Sequence, residues 1–275
     1  MFPNVLGLAC EGLEMNTYKF LGIIFKKLGL RVPGVYGPLE TGVKCTILGH
    51  DFRYDPDTDI GRRLYSHGGF EQEEIRFCHQ YIKQQSVVVD IGANVGLHTL
   101  FFSEFARNGL VLSFEPARDT FFYLLGNVQH LKNVIPINIA LSDAVGIAEF
   151  FAASDDAYSG LKDTKRKEIV NKYSVVSMRL DDILLPMNLD RIDFVKIDVE
   201  GLERNVLSGM AGIMEIHRPV LFCEIYKGDN SNEDPDETVH YVMGKGYHAF
   251  VLNGNGLARY TKHDDNYYNY FFLPL

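Results

Sequence analysis

Cysteine is scarce in this chain, with four residues in 275, at Cys10, Cys45, Cys78 and Cys223. None of them forms a Cys-x-x-Cys pair, and Cys223 lies inside an apolar run. Disulfide frameworks and structural zinc sites both need paired or regularly spaced cysteines. The sequence therefore argues against both and favours reduced thiols in a cytoplasmic protein.

Long apolar runs and an excess of positive charge are also missing. No apolar stretch reaches the roughly 18 residues that a membrane-spanning helix needs, and we expect no secretory signal. The net charge is −9, which disfavours nucleic acid as a partner. A basic run at 162–167 is interpreted as solvated surface. The run 20–28 is typical of an amphipathic helix, which favours packing on the core or in a homodimer over membrane docking.

From residue 86 onward, apolar strands alternate with helical segments. The predicted strands are 86–91, 110–115, 134–139, 192–198, 219–225 and 247–252, and the predicted helices are 96–107, 117–131, 202–212 and 235–245. The run 267–273 is a candidate last, antiparallel strand. Such alternation predicts a doubly wound α/β fold whose sheet is covered on both faces.

The segments before residue 86 have a different pattern. We predict one or two helices within 1–40, a β-hairpin over 43–55, a helix over 58–68 and an acid-started helix over 71–84. The chain is thus divided into an extension of helices and a hairpin, residues 1–85, and a main domain, residues 86–275.

Residues 146–180 interrupt the strand and helix alternation. Two candidate strands, 147–151 and 174–178, flank a polar loop. An insertion of this length beside the ligand-binding edge of a sheet is typical of a substrate lid. We therefore expect the loop over 153–173 to help bind the substrate.

A β-branched strand runs directly into a glycine-bearing turn and a helix between Val87 and Gly96. Gly92 and Gly96 have no Cβ, so a ligand can approach the backbone there. Asp90 would repel a pyrophosphate, but it suits a ligand that carries an amine or a sulfonium. The Gly-x-x-x-Gly spacing also departs from the dinucleotide fingerprint. Both points favour S-adenosylmethionine over NAD as the cofactor.

Further polar residues follow the next two strands. Glu115 ends the second strand, where an acid accepts ribose hydroxyls, although a charge at a helix N-terminus is the alternative. Ser142 and Asp143 follow the third strand, at the edge of a predicted adenine pocket. Thr99 either caps its helix or meets the cofactor, whereas His98 is expected to pack or hydrogen-bond locally.

Two later strands bring charged residues to the same edge of the sheet. Lys196 and Asp198 share one face of their strand, and Glu224 lies on a neighbouring strand. Two carboxylates placed there could hold Mg²⁺, bind the substrate or deprotonate a hydroxyl. The alternative is a Lys196 ion pair that only orders the sheet.

Four elements in this order resemble the FkbM family of S-adenosylmethionine-dependent methyltransferases. They are Asp90-Ile-Gly-Ala-Asn-Val-Gly96, Phe114-Glu115-Pro116, the run from Lys196 to Glu203, and the strand of Glu224. Gly68-Gly-Phe-Glu71 is similar to an upstream glycine–aromatic–glutamate element of the family. The resemblance covers about residues 40–275.

The resemblance implies a Rossmann-like class I methyltransferase fold, with a seven-stranded, mostly parallel sheet and an antiparallel last strand. It also implies O-methylation of a sugar, glycan or natural-product hydroxyl. The cofactor residues expected on this basis are Glu71, Asp90, Gly92, Ala93, Asn94, Gly96, Thr99, Glu115, Pro116, Ser142, Asp143 and Asp198.

The resemblance places Asp198 where many methyltransferases carry a catalytic or metal-binding acid. We expect Asp198 and Glu224 to activate the acceptor hydroxyl, with Glu200 as a nearby alternative, and Asp198 and Glu224 are candidate ligands for Mg²⁺. Two other classes stay open: an NAD-dependent oxidoreductase, and a binding module that keeps the fold without turnover.

Overall fold

A computed structural model of the chain describes residues 42–67, 71–227, 234–253 and 256–275. The predicted helices within 1–40, the amphipathic run 20–28 and the Gly68-Gly69 break lie outside these residues. In the described part of the chain, no helix is long and apolar enough to cross a membrane.

The fold is organised around one eight-stranded sheet with the spatial order β12-β11-β13-β10-β9-β3-β4-β5. Its strands are β3 (Val87–Ile91), β4 (Leu110–Phe114), β5 (Val134–Ile137), β9 (Phe194–Ile197), β10 (Val220–Glu224), β11 (Tyr247–Leu252), β12 (Leu257–Arg259) and β13 (Asn269–Pro274). The five strands from β10 to β5 are parallel neighbours. β13 lies between β10 and β11 and is antiparallel to both.

The predicted α/β class and the antiparallel last strand are confirmed, whereas the strand count of seven is wrong by one. The additional strand, β12, pairs with the outer edge of β11. Its three residues, Leu257–Arg259, are too few to show the alternating pattern that identifies a strand in a sequence.

Helices lie on both faces of the sheet. They are α1 (Asp59–His67), α2 (Gln72–Tyr81), α3 (Leu97–Phe105), α4 (Arg118–Val128), α5 (Leu180–Leu184), α6 (Glu203–Gly209), α7 (Ala211–Ile216) and α8 (Pro235–Gly244). On one face, side chains of the sheet such as Val88 and Phe194 pack with Phe102 of α3. On the other face, Val89 and Val195 belong to a larger core. Each such side chain contributes about 1.5–3 kcal/mol by burial.

The single helix predicted over 202–212 is in fact two helices, α6 and α7, which meet at Met210. Gly209 packs so tightly that a Cβ there would lie 2.0 Å from the carbonyl oxygen of Ser142. The Asp181 carboxylate then accepts hydrogen bonds from the amides of Gly212 and Ile213, at 2.8 and 2.9 Å. These contacts end the first helix and begin the second.

The predicted interruption at 146–180 is a β-arm with its own small sheet. β7 (Gly146–Ala153) and β8 (Ile169–Met178) pair antiparallel, and β8 also pairs with β6 (Ala140–Leu141). Both β7 and β8 are longer than the strands predicted at 147–151 and 174–178. The loop 154–168 joins their far ends.

The predicted hairpin consists of β1 (Val43–Ile47) and β2 (His50–Tyr54), and it packs against helices α3 and α4. Phe52 and Tyr54 are buried in a cluster with Val95 and Leu97. Asn127 of α4 secures the contact: its side chain accepts from the Arg53 amide at 2.7 Å and donates to the carbonyls of Arg53 and Val95, both at 2.8 Å.

We predict that Asn127→Ala lowers the free energy of unfolding by about 2–4 kcal/mol, because it removes three hydrogen bonds of a buried side chain and leaves their backbone partners unpaired. Urea unfolding followed by circular dichroism measures the change. Gln129→Ala, on the exposed side of the same helix end, is the control. A loss below about 1 kcal/mol in Asn127→Ala would contradict this role.

Candidate active site

A cavity of about 460 Å³ opens at the carboxyl ends of β3, β4, β9 and β10. This is the edge at which open α/β sheets bind their ligands. The predicted site residues on its wall are Glu71, Gly92, Ala93, Asn94, Glu115, Pro116, Asp198, Glu200 and Glu224. The structure therefore brings most of the predicted set together around one cavity.

The turn after β3 forms the floor of this cavity. Gly92 has a φ of 72°, and the amides of Gly92 and Ala93 both donate to the carbonyl oxygen of Phe114 at 3.0 Å. A Cβ on Gly92 would lie 1.7 Å from the carbonyl oxygen of Asp198. The turns after β3 and β9 are thus in direct contact, which only glycine permits.

Glu115, at the end of β4, is buried beside this turn. Its carboxylate accepts from the Asn94 amide at 2.9 Å and from the Ala117 amide at 2.8 Å. Burial raises the pKa of Glu115 to about 7 despite these hydrogen bonds. Each carboxylate oxygen has a second lone pair, so Glu115 can accept further hydrogen bonds from a ligand in the cavity.

Three predicted cofactor residues, Asp90, Gly96 and Thr99, do not line the cavity but support its floor. Asp90 is fully buried and accepts a hydrogen bond from the Thr99 hydroxyl at 2.6 Å. Gly96 has a φ of 90° at the start of α3, where a Cβ would come within 2.7 Å of Leu124.

Ser142 and Asp143, predicted at the edge of an adenine pocket, do not line the cavity either. The Ser142 hydroxyl donates to the Asp143 carboxylate at 3.1 Å, and hydrogen bonds from Asn205 and Ser142 hold the pKa of Asp143 below its usual value. The wall is formed instead by the apolar residues Ile139, Ala140, Leu141, Phe150 and Leu161.

Carboxyl groups surround a buried lysine at the floor of the cavity, on the side of β9 and β10 and away from the apolar wall. The Lys196 ammonium lies 3.0 Å from the Asp198 carboxylate and 3.9 Å from that of Asp90. Burial disfavours the charge of Lys196, but Asp198 and Asp90 outweigh it and hold the pKa of Lys196 above its usual value.

Glu71 and Glu224 complete this acidic end. Burial and the nearby Asp198 raise the pKa of Glu71 to about 8 and hold that of Glu224 well above its usual value. The Glu71 carboxyl lies 3.2 Å from Nε2 of His98, whose pKa burial holds well below its usual value. His98 therefore lines the cavity in addition to packing locally.

The loop 154–168 closes one side of the cavity through two attachments. Arg166 donates to Glu200 at 2.8 Å and lies over the rings of Tyr158 and Tyr226, at 4.3 and 4.5 Å from their centroids. At its other end, the Asp155 carboxylate accepts from Arg62 at 2.7 Å, and its second oxygen accepts from the first amide of α1 at 3.1 Å.

Arg166 is the main site residue that the sequence interpretation missed. The sequence predicts a solvated surface for its basic run, yet Arg166, Tyr158 and Tyr226 all line the cavity. The Tyr226 hydroxyl also donates to Glu200 at 2.8 Å. Burial, followed by the nearby Asp198, raises the pKa of Glu200 to about 7. The feature of the sequence that could have indicated this role is a basic residue inside a segment predicted to be a substrate lid.

The predicted Mg²⁺ site at Asp198 and Glu224 is not supported. Among residues 42–67, 71–227, 234–253 and 256–275, no three or more His, Cys, Asp and Glu side chains are arranged to hold a metal ion. The Lys196 ammonium, rather than an open coordination position, faces the Asp198 carboxylate.

The sheet order, with β13 reversed between β10 and β11, and a cavity at the strand ends define a Rossmann-like methyltransferase fold. Residues 90–249 match the methyltransferase FkbM domain, which is more than half of the chain. The chain therefore belongs to the FkbM methyltransferase family, and the predicted membership in this enzyme family is confirmed.

Several methyltransferases are similar to this chain in sequence or in structure. The hexuronic acid methyltransferase AglP of Haloferax volcanii is 31% identical over 159 residues, which cover 58% of this chain and 63% of AglP. Methyltransferase 1 of Beauveria bassiana is 27% identical, over 50% of this chain and 68% of that protein. The crystal structure of an FkbM methyltransferase from Methylobacillus flagellatus aligns with a TM-score of 0.46 at 16% identity, covering 69% of this chain and 44% of that one.

The effect of burial on carboxyl groups near the site can be tested at Glu203. It is buried, its carboxylate accepts from the Gly201 amide at 2.9 Å, and burial raises its pKa to about 8. The folded protein then holds a proton that the unfolded chain releases above about pH 4.5. The stability linked to this proton is complete below that pH and is lost progressively up to about pH 8.

We therefore predict that Glu203→Gln is more stable than the wild type at pH 8 by about 1–3 kcal/mol, with little difference at pH 4.5. Urea unfolding at several pH values measures the difference. Glu104→Gln, on the exposed face of α3, should show no such dependence. A constant difference across this range would mean that burial does not perturb Glu203 as described.

Proposed function

We propose that the protein is an S-adenosylmethionine-dependent O-methyltransferase that acts on a hydroxyl of a sugar, glycan or natural product. The observation that carries this proposal is the order of surfaces along the edge of the sheet: the apolar wall follows β5, Glu115 follows β4, and the acids Asp198 and Glu224 lie at the ends of β9 and β10. Adenine, ribose and a cationic sulfonium with its amino acid follow one another in the same order along S-adenosylmethionine.

Each surface suits the part of the cofactor that it would hold. The apolar wall with Leu141 and Phe150 suits the adenine ring, and Glu115 suits the ribose hydroxyls. The turn with Gly92 and Asn94 suits the methionine end. The acidic end, with Asp198 on its wall, suits the positive charge of a sulfonium and an amine. An NAD pyrophosphate would be repelled by the same acids, which disfavours the oxidoreductase alternative.

When bound, S-adenosylmethionine supplies an activated methyl group, whose bond to sulfur breaks with the electron pair left on sulfur as the bond to the acceptor oxygen forms. The chain itself must position the acceptor hydroxyl, exclude water and take up the hydroxyl proton. We propose Asp198 as the base that takes this proton, because its carboxylate is on the cavity wall and Lys196, 3.0 Å away, holds it in position there.

The two other predicted acids take supporting roles in this proposal. Glu224, with its raised pKa, suits a protonated carboxyl that donates a hydrogen bond to the acceptor. Glu200 has a pKa of about 7, which suits proton exchange near neutral pH, and it is the alternative base. Its partners Arg166 and Tyr226 connect it to the loop 154–168.

The outer part of the cavity supports a polyhydroxylated acceptor. The aromatic residues Tyr158, Tyr226 and Tyr268 line it together with several carboxyl groups. Tyrosine rings offer apolar faces for a sugar ring, while carboxylates accept hydrogen bonds from its hydroxyls. The similarity to AglP, a hexuronic acid methyltransferase, also supports a sugar acceptor.

We propose that the catalytic domain begins at residue 86. The extension, residues 1–85, helps to form the part of the cavity that binds the acceptor. The extension contributes Asp59, Arg63 and Glu71 to the cavity wall. The cytoplasmic location, the homodimer and the lack of a nucleic-acid partner stay predictions.

We predict that calorimetry detects micromolar binding of S-adenosylmethionine and S-adenosylhomocysteine and no binding of NAD. Glu115→Gln should weaken S-adenosylhomocysteine binding at least tenfold, which is about 1.4 kcal/mol, because its amide cannot accept hydrogen bonds at both ends. The exposed variant Glu104→Gln is the control. A wild-type protein that binds neither of the two sulfur compounds would exclude the proposed function.

We further predict that Asp198→Asn retains S-adenosylhomocysteine binding within about tenfold but loses methyl transfer by at least about a hundredfold. Release of S-adenosylhomocysteine is measured over a panel of glucuronides, galacturonides and neutral glycosides. Asp190→Asn, on an exposed turn, should keep wild-type turnover. Unchanged turnover in Asp198→Asn would assign the base role elsewhere, with Glu200 tested next.

A further inference from the structure

One cation lies among oxygen atoms from separate parts of the chain at the floor of the cavity. Nζ of Lys196 is 3.0 Å from the Asp198 carboxylate, 3.5 Å from the carbonyl oxygen of Gly92 and 3.9 Å from the Asp90 carboxylate. The Lys196 side chain is only 5% exposed and that of Asp90 is 0% exposed. This floor is therefore well shielded from solvent.

The Asp90 carboxylate shows why a cation is needed there. One of its oxygens accepts from Thr99, but the other, Oδ1, is buried without a hydrogen-bond partner and faces Lys196. A buried carboxylate without compensation is costly, so this oxygen depends on the positive charge of Lys196.

The oxygen atoms around Lys196 are of the kind that hard divalent cations take. Carboxylates and backbone carbonyls are the usual ligands of Ca²⁺ and Mg²⁺ in proteins. Here an ammonium with three N–H donors lies among two carboxylates and one carbonyl. The sequence motif places a lysine two residues before the acid, on the same face of β9, so both side chains reach the same place.

We propose that Lys196 is a built-in cation, occupying the position between Asp90, Gly92 and Asp198 that a divalent metal would otherwise take. It acts as a positioning residue that holds the Asp198 carboxylate at the cavity wall. This inference rests on the proposed methyltransferase function, and its consequence is that methyl transfer needs no divalent metal.

The surrounding groups make the loss of Lys196 easy to detect. Glu71, which precedes α2, and Glu224 of β10 face the same region, as does Glu200, while His98 of α3 carries no positive charge near neutral pH. Removing the ammonium would leave Asp90 and Asp198 without the cation to which both are paired, and it would open room for another cation.

Manganese binding tests this proposal directly. Paramagnetic resonance of Mn²⁺ is followed during titration of wild type, Lys196→Ala and Lys196→Arg, each with S-adenosylhomocysteine bound. We expect the wild type to bind no Mn²⁺ below millimolar concentration. We expect Lys196→Ala to bind one Mn²⁺ ion with a dissociation constant at least tenfold below that limit. Lys196→Arg, which keeps the charge, and Lys132→Ala, at an exposed lysine, should bind no Mn²⁺.

Two results would overturn the proposal. The first is a wild-type Mn²⁺ site that Asp198→Asn removes, because the metal and Lys196 would then coexist. The second is a folded Lys196→Ala, verified by thermal melting, that gains no Mn²⁺ and binds S-adenosylhomocysteine like the wild type.

If Lys196→Ala does not fold, the wild type still decides the matter. A wild-type protein without an Mn²⁺ site, whose S-adenosylhomocysteine binding is unchanged by EDTA, supports the proposal, and an Mn²⁺ site that depends on Asp198 refutes it. The proposed function is tested by a different result: it is excluded only if the wild type binds neither S-adenosylmethionine nor S-adenosylhomocysteine.

Discussion

The contact between Gly92 and the carbonyl oxygen of Asp198 is the constraint on which the site depends. Because a Cβ at Gly92 would lie 1.7 Å from that oxygen, the turns after β3 and β9 can meet only through a glycine. Their meeting brings the Asp198 side chain over the floor formed by Asp90 and Lys196. A wider separation of the two turns would separate the cofactor surface from the acid that we propose as the base.

Burial of charge shapes the rest of the cavity. Desolvation is the largest cause of the raised pKa values of Glu71, Glu115, Glu200 and Glu224. A ligand with positive charge relieves this cost, because it supplies the attraction that water would otherwise provide. The acidic end is therefore better suited to a cationic ligand than to remaining without one, because Lys196 and Arg166 compensate only the carboxylates nearest to them.

Most of the main sheet could be predicted from the sequence, since its strands are apolar runs bounded by polar turns. Strand β11, for example, has the predicted bounds. What could not be predicted depends on contacts between distant segments. The break between α6 and α7 needs Asp181, some thirty residues away, and the role of Arg166 needs Glu200. Likewise, Ser142 and Asp143 have the composition of a pocket edge, but the chain turns away just before them.

The loop 154–168 is held at two points that belong to different parts of the chain. Asp155 binds the start of α1, whereas Arg166 binds Glu200 beside the sheet. The surfaces that we assign to the ribose and the methionine end of the cofactor come instead from the turns after β3, β4 and β9. In the function that we propose, the acceptor and the ribose and methionine parts of the methyl donor are thus bound by separate stretches of the sequence. Exchanging the loop together with its anchor on α1, while keeping Leu161 of the apolar wall, offers a route to enzymes with new acceptors and an unaltered donor site.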